Sequence, residues 1–365
     1  MKKIMFYINA IHDGGAERVM VNLAKHFSEA GYDTLLVTSF RDQWEYPLAS
    51  TVKRITLEEQ EIVQSRLMRN LTRISKLRKI CKEEKPDILV SFMEEPNFRA
   101  ILATRGLPVK TLVSVRNDPN KEYAGKLGAF VGKVLLPMAD GCVFQTKEAQ
   151  EWFPKKLQKK SKIIYNAVKE EFYQIKHKPN RGEIVTCGRL TEQKNHAMLI
   201  SAFAEVVKQY PYATLKIYGE GTLRDALQQQ INAAGIQDRA FLMGATDNVG
   251  KALETADLFV LSSDYEGMPN ALMEAMAVGV PCISTDCPCG GPRELFGNAE
   301  SRSLIHIGDI TSLAEAIKSF FSNERILAQN GIQMKSKAQK YNPKVVQMEW
   351  LNYLEDIVKC DGEKQ

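Results

Sequence analysis

Short apolar runs rich in β-branched residues alternate with longer stretches of helical period along almost the whole chain. KIMFYINA, DTLLVTS, PDILVSF, VKTLVSV and ADGCVFQT read as strands in the first half, and EIVTCG, ATLKIYG, ADLFVLSS, GVPCIST and SRSLIHI in the second. Between them RVMVNLAKHFSEA, HAMLISAFAEVVKQY and LRDALQQQINAA read as helices, with Gly31 and Gly235 as stops after the first and last of these. Apolar strands separated by helices pair in parallel and are covered on both faces, so the fold class is α/β. The pattern begins twice, the second time near Gly182. The Pro-, Asn- and charge-rich stretch from Tyr165 to Glu183 suits a linker between two Rossmann-like modules. The expected domains are 1–167 and 168–342. Ligands of open α/β sheets bind at the carboxyl ends of strands. Two such modules facing each other across a central cleft would serve to bring two substrates together.

Composition excludes several classes. The 365 residues are 44% hydrophobic and 25% charged, ordinary for a soluble protein. No run approaches the roughly 18 apolar residues of a membrane span. The N-terminal apolar run ends at His12-Asp13 and is read as a first strand rather than a signal, which implies a cytoplasmic chain with reduced cysteines. Cys282, Cys287 and Cys289 fit no common zinc spacing, so no metal is expected there. The net charge of +5 is uneven: residues 1–175 hold 29 Lys/Arg against 21 Asp/Glu, the rest 20 against 23. Much of the excess lies in RLMRNLTRISKLRKICKEEK, where Leu67, Leu71, Ile74, Leu77 and Ile80–Cys81 recur at helical spacing. Arg66, Arg69, Arg73, Lys76, Arg78 and Lys79 fill the other positions. One reading is a solvated helix packing its stripe on a sheet; the other is a basic face on anionic headgroups. The segment has no aromatic residue for base stacking, which disfavours nucleic acid as a partner.

Three motifs carry chemistry. His12-Asp13-Gly14-Gly15-Ala16-Glu17 follows the first strand, and its glycines let backbone N–H groups approach a phosphate or sugar. It is not G-x-G-x-x-G, and Asp33 precedes the second strand instead of ending it, so a dinucleotide oxidoreductase is disfavoured. Gly188-Arg189-Leu190-Thr191-Glu192-Gln193-Lys194-Asn195 leaves a strand end and enters a helix. Its two cations flank a helix N-terminus and form a cradle for a diphosphate. In Asp264-Tyr265-Glu266-Gly267-Met268-Pro269-Asn270-Ala271-Leu272-Met273-Glu274, Pro269 opens a helix whose free N–H groups face the loop, and Glu274 falls in the second turn. A carboxylate inside an apolar run is costly unless paired, and a ligand's vicinal diol is the expected partner.

G-R-L-x-x-x-K-N, Gly219-Glu220-Gly221 and E-G-M-P-N-A-L-M-E together resemble the E-x7-E retaining glycosyltransferases of the GT-B fold, glycosyltransferase family 4. The resemblance implies that Glu274 binds the donor ribose, that Arg189 and Lys194 neutralise the diphosphate, and that Glu266 holds the transferred sugar. Gly188 and Gly219, with Gly267, Met268, Pro269, Asn270, Ala271 and Leu272, would line the donor, and Gly15 would approach the diphosphate from the first domain. It also implies a crossover by the last helix, about 343–365, back onto the first domain. The apolar positions of that helix are Val345, Met348, Trp350–Leu351 and Leu354. Where many relatives have a histidine, this chain has Arg116 followed by Asn117 and Asp118. Arginine cannot act as a base, so Arg116 and Asn117 are candidates for contact with sugar or acceptor.

The implied activity is that of a hexosyltransferase, moving sugar from a nucleotide-sugar donor, expected to be a UDP-sugar, to a growing glycan. A lipid-linked glycan of cell-surface polysaccharide biosynthesis is the expected acceptor. No metal cofactor is expected, and any membrane association would be peripheral, at the inner face. SFMEEPN, Ser91 to Asn97, is expected to be among the loops that select the acceptor. A sugar-nucleotide epimerase, a glycoside hydrolase, a metal-dependent transferase using Asp264 and Glu266, and a non-catalytic nucleotide-sugar binder are the rivals.

Overall fold

The structure is a computed structural model that describes residues 1–12, 14–59, 65–246, 248–297 and 303–359. The chain divides into two compact units, one of Met1–Asn166 with the chain from Lys344 on, the other Ala167–Pro343.

The first unit is built on seven parallel strands: β1 (Lys3–Ile8), β2 (Asp33–Thr38), β3 (Lys53–Thr56), β4 (Ile88–Phe92), β5 (Lys110–Ser114), β6 (Gly141–Phe144) and β7 (Ser161–Ile163). Their order is β3-β2-β1-β4-β5-β6-β7, so the winding reverses between β1 and β4. Register runs Lys3↔Asp33 on one side of β1 and Ile4↔Ile88 on the other. Helices Arg66–Glu84 and Glu94–Thr104 pack Leu77, Ile80, Cys81, Ala100 and Ala103 onto Met5, Leu35 and Leu89.

Helix Arg66–Glu84 departs from the sequence reading in two ways. Leu67 and Leu71 are exposed, with Met68 beside them, because the stripe meets the core only from Ile74 onward. Arg73, read as surface charge, is fully buried, and its Nη2 lies 2.8 Å from Glu58 Oε2. SFMEEPN is not a loop: Ser91 and Phe92 complete β4, and Glu94 to Asn97 form the first turn of a helix entered through Met93 at φ +75. The helix Pro343–Lys359 lies on this unit with Val346, Trp350, Leu354 and Ile357 buried, while Val345 and Met348 face solvent. Its Trp350 ring sits 5.8 Å from that of Phe92, and Tyr353 Oη donates to the Lys160 carbonyl at 2.6 Å.

The second unit repeats the plan with β8 (Glu183–Cys187), β9 (Thr214–Tyr218), β10 (Ala240–Gly244), β11 (Leu258–Leu261), β12 (Cys282–Thr285) and β13 (Leu304–Ile305). All are parallel, in the order β10-β9-β8-β11-β12-β13, and the winding reverses between β8 and β11. Leu199, Phe203 and Val206 of helix His196–Gln209 cover Leu215, Ile217, Leu258 and Val260 on one face. A parallel sheet with a reversal leaves a crevice beyond the carboxyl ends of the two strands at the switch, since their connections leave in opposite directions. In this unit the loops that leave β8 and β11 are Gly188–Asn195 and Ser262–Pro269.

Candidate active site

The loop after β8 is fixed by backbone contacts with the loop after β9. Gly188 N donates to Tyr218 O at 2.9 Å, Leu190 N to Glu220 O at 2.9 Å, and Leu223 N to Leu190 O at 3.0 Å. Gly219, at φ +147, passes so close that a Cβ on it would stand 1.9 Å from the Gly188 carbonyl oxygen. Only glycine meets both demands. Gly188 allows the aliphatic stem of Lys194 to cross it, where a Cβ would approach Lys194 Cδ to 3.2 Å.

The loops after β8 and β11 are then stapled to each other. Asp264 N donates to Gln193 O at 2.8 Å, Gln193 Nε2 to Tyr265 O at 3.0 Å, and Ser262 Oγ to Lys194 O at 2.9 Å. Asn195 stands at φ +43 and caps helix His196–Gln209 by accepting from Met198 N, while its amide donates to Asp264 Oδ1 at 2.7 Å. Asp264 is therefore occupied inside the loop.

Glu266 and Lys194 have separate roles in the sequence reading, but the structure places one on the other. Lys194 Nζ lies 2.5 Å from Glu266 Oε1, and Ser263 Oγ donates to the same oxygen at 2.7 Å. Ser263 is positioned by Thr285, whose Oγ1 donates to its carbonyl. Arg189 is exposed, and among the described residues its guanidinium has no partner. The site thus presents one cation already balanced and one still free.

Helix Asn270–Val278 begins after Pro269, and no side chain caps its N-terminus. The turn before it is held by Gly291, where a Cβ would meet the Gly267 carbonyl oxygen at 1.9 Å. Met268, Pro269 and Leu272 are buried, while Asn270 and Ala271 are partly exposed. Glu274 is 4% exposed, and it is already engaged within the chain rather than left for a ligand alone. Burial pushes the Cys187 thiol up, and Glu274 close by adds to the shift.

His196 was not singled out from sequence. It is 3% exposed, neither ring nitrogen has a partner, and burial pulls its pKa to about 4, so the imidazole is neutral beneath the Gly188–Arg189 turn. The pattern Lys-Asn-His at a helix start was its only sequence signal.

The remaining candidates lie in the first unit. Gly15 is the first residue of helix Gly15–Glu29, whose N-terminus likewise has no side-chain cap; Asp13 lies outside the described residues. Arg116 is 8% exposed and turned inward. Its Nη2 donates to Asn166 Oδ1, and its guanidinium lies 4.6 Å from the Phe92 ring centre. Burial lowers its pKa to about 9. Asn117 Oδ1 accepts from Asp118 N at 2.9 Å. Cys282, Cys287 and Cys289 are buried thiols, and no group of three metal-ligating side chains occurs among the described residues.

The family model described as Glycosyl transferases group 1 matches residues 168–342, and that described as Glycosyltransferase Family 4 matches residues 13–172. The chain is 33% identical over 251 residues to an uncharacterized glycosyltransferase of Methanocaldococcus jannaschii, an alignment that covers 62% of each protein. It is 25% identical, over 97% of this chain and 100% of the other, to a Campylobacter jejuni enzyme. That enzyme is named N-acetylgalactosamine-N,N'-diacetylbacillosaminyl-diphospho-undecaprenol 4-alpha-N-acetylgalactosaminyltransferase. Anabaena HepE in complex with UDP and glucose shares the fold with a TM-score of 0.80 at 17% identity, over 98% of this chain and 100% of HepE.

Proposed function

We propose, for a chain that belongs to the family-4 glycosyltransferases and has the GT-B fold, transfer of a sugar with retention from a UDP-sugar to a glycan carried on a lipid diphosphate. The observation that carries this is the stapled pair of loops at the β8/β11 switch, where Lys194, Glu266 and Ser263 converge beside the unpartnered Arg189.

Each part has a chemical task. Breaking the bond from the anomeric carbon to the diphosphate sends its electron pair to the leaving group, while the acceptor oxygen bonds that carbon on the same face and its proton passes to an oxygen of the departing diphosphate. Arg189 and Lys194 receive that charge, and losing one such group costs about 3–4 kcal/mol of barrier. Lys194 can turn toward the diphosphate because Ser263 continues to hold Glu266, whose carboxylate then accepts from sugar hydroxyls. The uncapped start of helix Asn270–Val278 adds N–H donors for phosphate or sugar, and Glu274 takes the ribose diol. Asp264 is bonded to Asn195, and Glu266 to Lys194 and Ser263, which favours chemistry without a metal.

The acceptor follows from the first unit and from the relatives. The Campylobacter enzyme is named for a diphospho-undecaprenol acceptor. Among the described residues no helix is long and apolar enough to cross a membrane. The first turns of helix Arg66–Glu84 expose Leu67, Met68 and Leu71 between basic residues, an amphipathic end suited to the inner face of an anionic membrane. A sugar-nucleotide epimerase of this architecture would turn over donor with no acceptor present.

The test is a thermal-shift panel of UDP-, GDP- and ADP-sugars on the wild type and on Glu274→Ala. Stabilisation by UDP-sugars, lost in Glu274→Ala, is expected. A wild type that no nucleotide sugar stabilises sinks the reading.

A further inference from the structure

We propose that Glu94 holds the acceptor's attacking hydroxyl, and that Arg116, Glu122 and Tyr123 form with it a sugar-reading end of the first unit; this rests on the transferase reading above. Strand β4 is followed by Met93 at φ +75, and this turn sets Glu94 and Glu95 at the carboxyl end of the sheet. The two glutamates are used differently. Glu95 is spent inside the protein: Arg66 Nε donates to its Oε1 at 3.0 Å, and the buried Arg99 donates to its other oxygen. Arg99 is held in turn by Asn9 and Asn70, each at 2.6 Å. Glu94 has only Arg66 Nη2, at 3.9 Å, and no hydrogen bond reaches it among the described residues. Its side chain is 20% exposed.

Beneath Glu94 lies an under-satisfied polar floor. Neither carboxyl oxygen of Glu122 has a partner or meets solvent. The backbone N–H groups of Glu94, Arg116 and Asn117 face it without reaching hydrogen-bond geometry. Burial pushes its pKa up to about 8, toward the protonated form. The Tyr123 hydroxyl, in a residue only 1% exposed, is also partnerless. Its nearest amide, Asn97, already accepts from Ser91 and donates to the Ser114 carbonyl. Arg116 Nε is the third buried polar group without a partner. Native proteins satisfy nearly all such groups, so several in one place mark a site that its ligand completes.

The chemistry of the floor selects the ligand. A carboxylate accepts from a hydroxyl, and a neutral carboxylic acid and a phenol donate to ring or acyl oxygens. A diphosphate would meet Glu94 as a like charge. This end therefore reads the neutral sugar of the acceptor, and the lipid-borne phosphates lie elsewhere.

The experiment uses the full chain, its best UDP-sugar from the panel, and farnesyl-diphosphate-linked N-acetylhexosaminyl oligosaccharides as acceptors. Sugar-free farnesyl diphosphate serves as a competitor. Glu94→Ala and Glu94→Gln are expected to raise the acceptor KM about tenfold, the scale of a hydrogen bond to a charged group. UDP affinity, melting temperature and inhibition by farnesyl diphosphate should stay as in the wild type. Tyr123→Phe should raise the acceptor KM, and Glu122→Gln, which keeps a neutral group of the same shape, should change it least. An acceptor KM within twofold of wild type in Glu94→Ala overturns the inference, as does an equal loss of farnesyl diphosphate affinity. Both results leave the transferase reading standing, which fails instead if the wild type binds no nucleotide sugar.

Discussion

Replacing Glu266 by glutamine tests whether Lys194 and Glu266 act as one unit rather than as separate sugar and phosphate ligands. The two atoms are 2.5 Å apart, with side chains only 17% and 9% exposed. Glutamine keeps the volume and one acceptor oxygen, so Ser263 remains satisfied and the loss is the charge opposite Lys194. Removing one partner of a buried pair costs about 3–5 kcal/mol, and of an exposed pair about 0–1. Lys194 retains some water, so about 2–3 kcal/mol is expected. For a unit of this size that is a fall of roughly 4–12 °C in its melting transition.

The diagnostic result is what UDP does to that deficit. A diphosphate gives Lys194 the negative charge it has lost, so saturating UDP should stabilise Glu266→Gln more than the wild type and narrow the gap. A double-mutant cycle with Lys194→Met isolates the coupling. The double variant should be more stable than the sum of the single losses implies, by at least about 1 kcal/mol. Calorimetry and circular dichroism with and without UDP measure both. Additivity within about 0.5 kcal/mol, or a gap that widens with UDP, refutes the argument.

Three further outcomes follow from the same geometry. Gly219→Ala should cost about 2–4 kcal/mol and weaken UDP binding, because a Cβ 1.9 Å from the Gly188 oxygen parts the two loops. Gly308→Ala, with φ +77 but open space around it, should cost only about 1 kcal/mol and leave UDP binding unchanged; equal effects would discredit the close-approach argument. His196 is held neutral with a pKa of about 4, against about 6.5 unfolded, so the unfolded state binds the extra proton between these values. Its contribution is present above pH 6.5 and is lost as pH falls toward 4, on the order of 2–3 kcal/mol by pH 4.5. His196→Phe should flatten that part of the stability profile, which urea titrations at each pH will show.

What the sequence made legible differs between the units for a physical reason. In the second unit the strand ends, the Pro269 helix start and the loop cations are local features, written within a few residues of where they act. The folded loops only had to bring them together. The strands missed are edge or near-edge elements. Lys53–Thr56 is short and charged, Ser161–Ile163 is three half-buried residues, and Ala240–Gly244 turns Phe241 and Met243 to solvent, so none shows a clean apolar run. On the last helix Val345 and Met348, read as apolar-face positions, turn to solvent while Val346 and Ile357 are buried, because 3.6-residue periodicity leaves two adjacent stripes until a partner such as Phe92 selects one.

The candidate residues of the first unit were less legible because their surroundings are set by partners distant in sequence. Nothing local separates Glu94 from Glu95; Arg66 and Arg99 hydrogen-bond the second, while the first has only the longer ion pair with Arg66, and that assignment exists only once both helices are docked. Arg116 reads locally as a surface cation replacing a histidine, yet Phe92 and Asn166 turn it inward. A histidine alone at this position would leave Asn166 and the Phe92 face without the guanidinium. The same reasoning applies to Glu266 and Lys194. Their spacing identifies them as site residues, whereas their pairing follows from Gly188 letting the lysine stem cross the backbone. The pair keeps a buried carboxylate compensated, and on the proposed reading a diphosphate would exchange one counter-charge for another at Lys194.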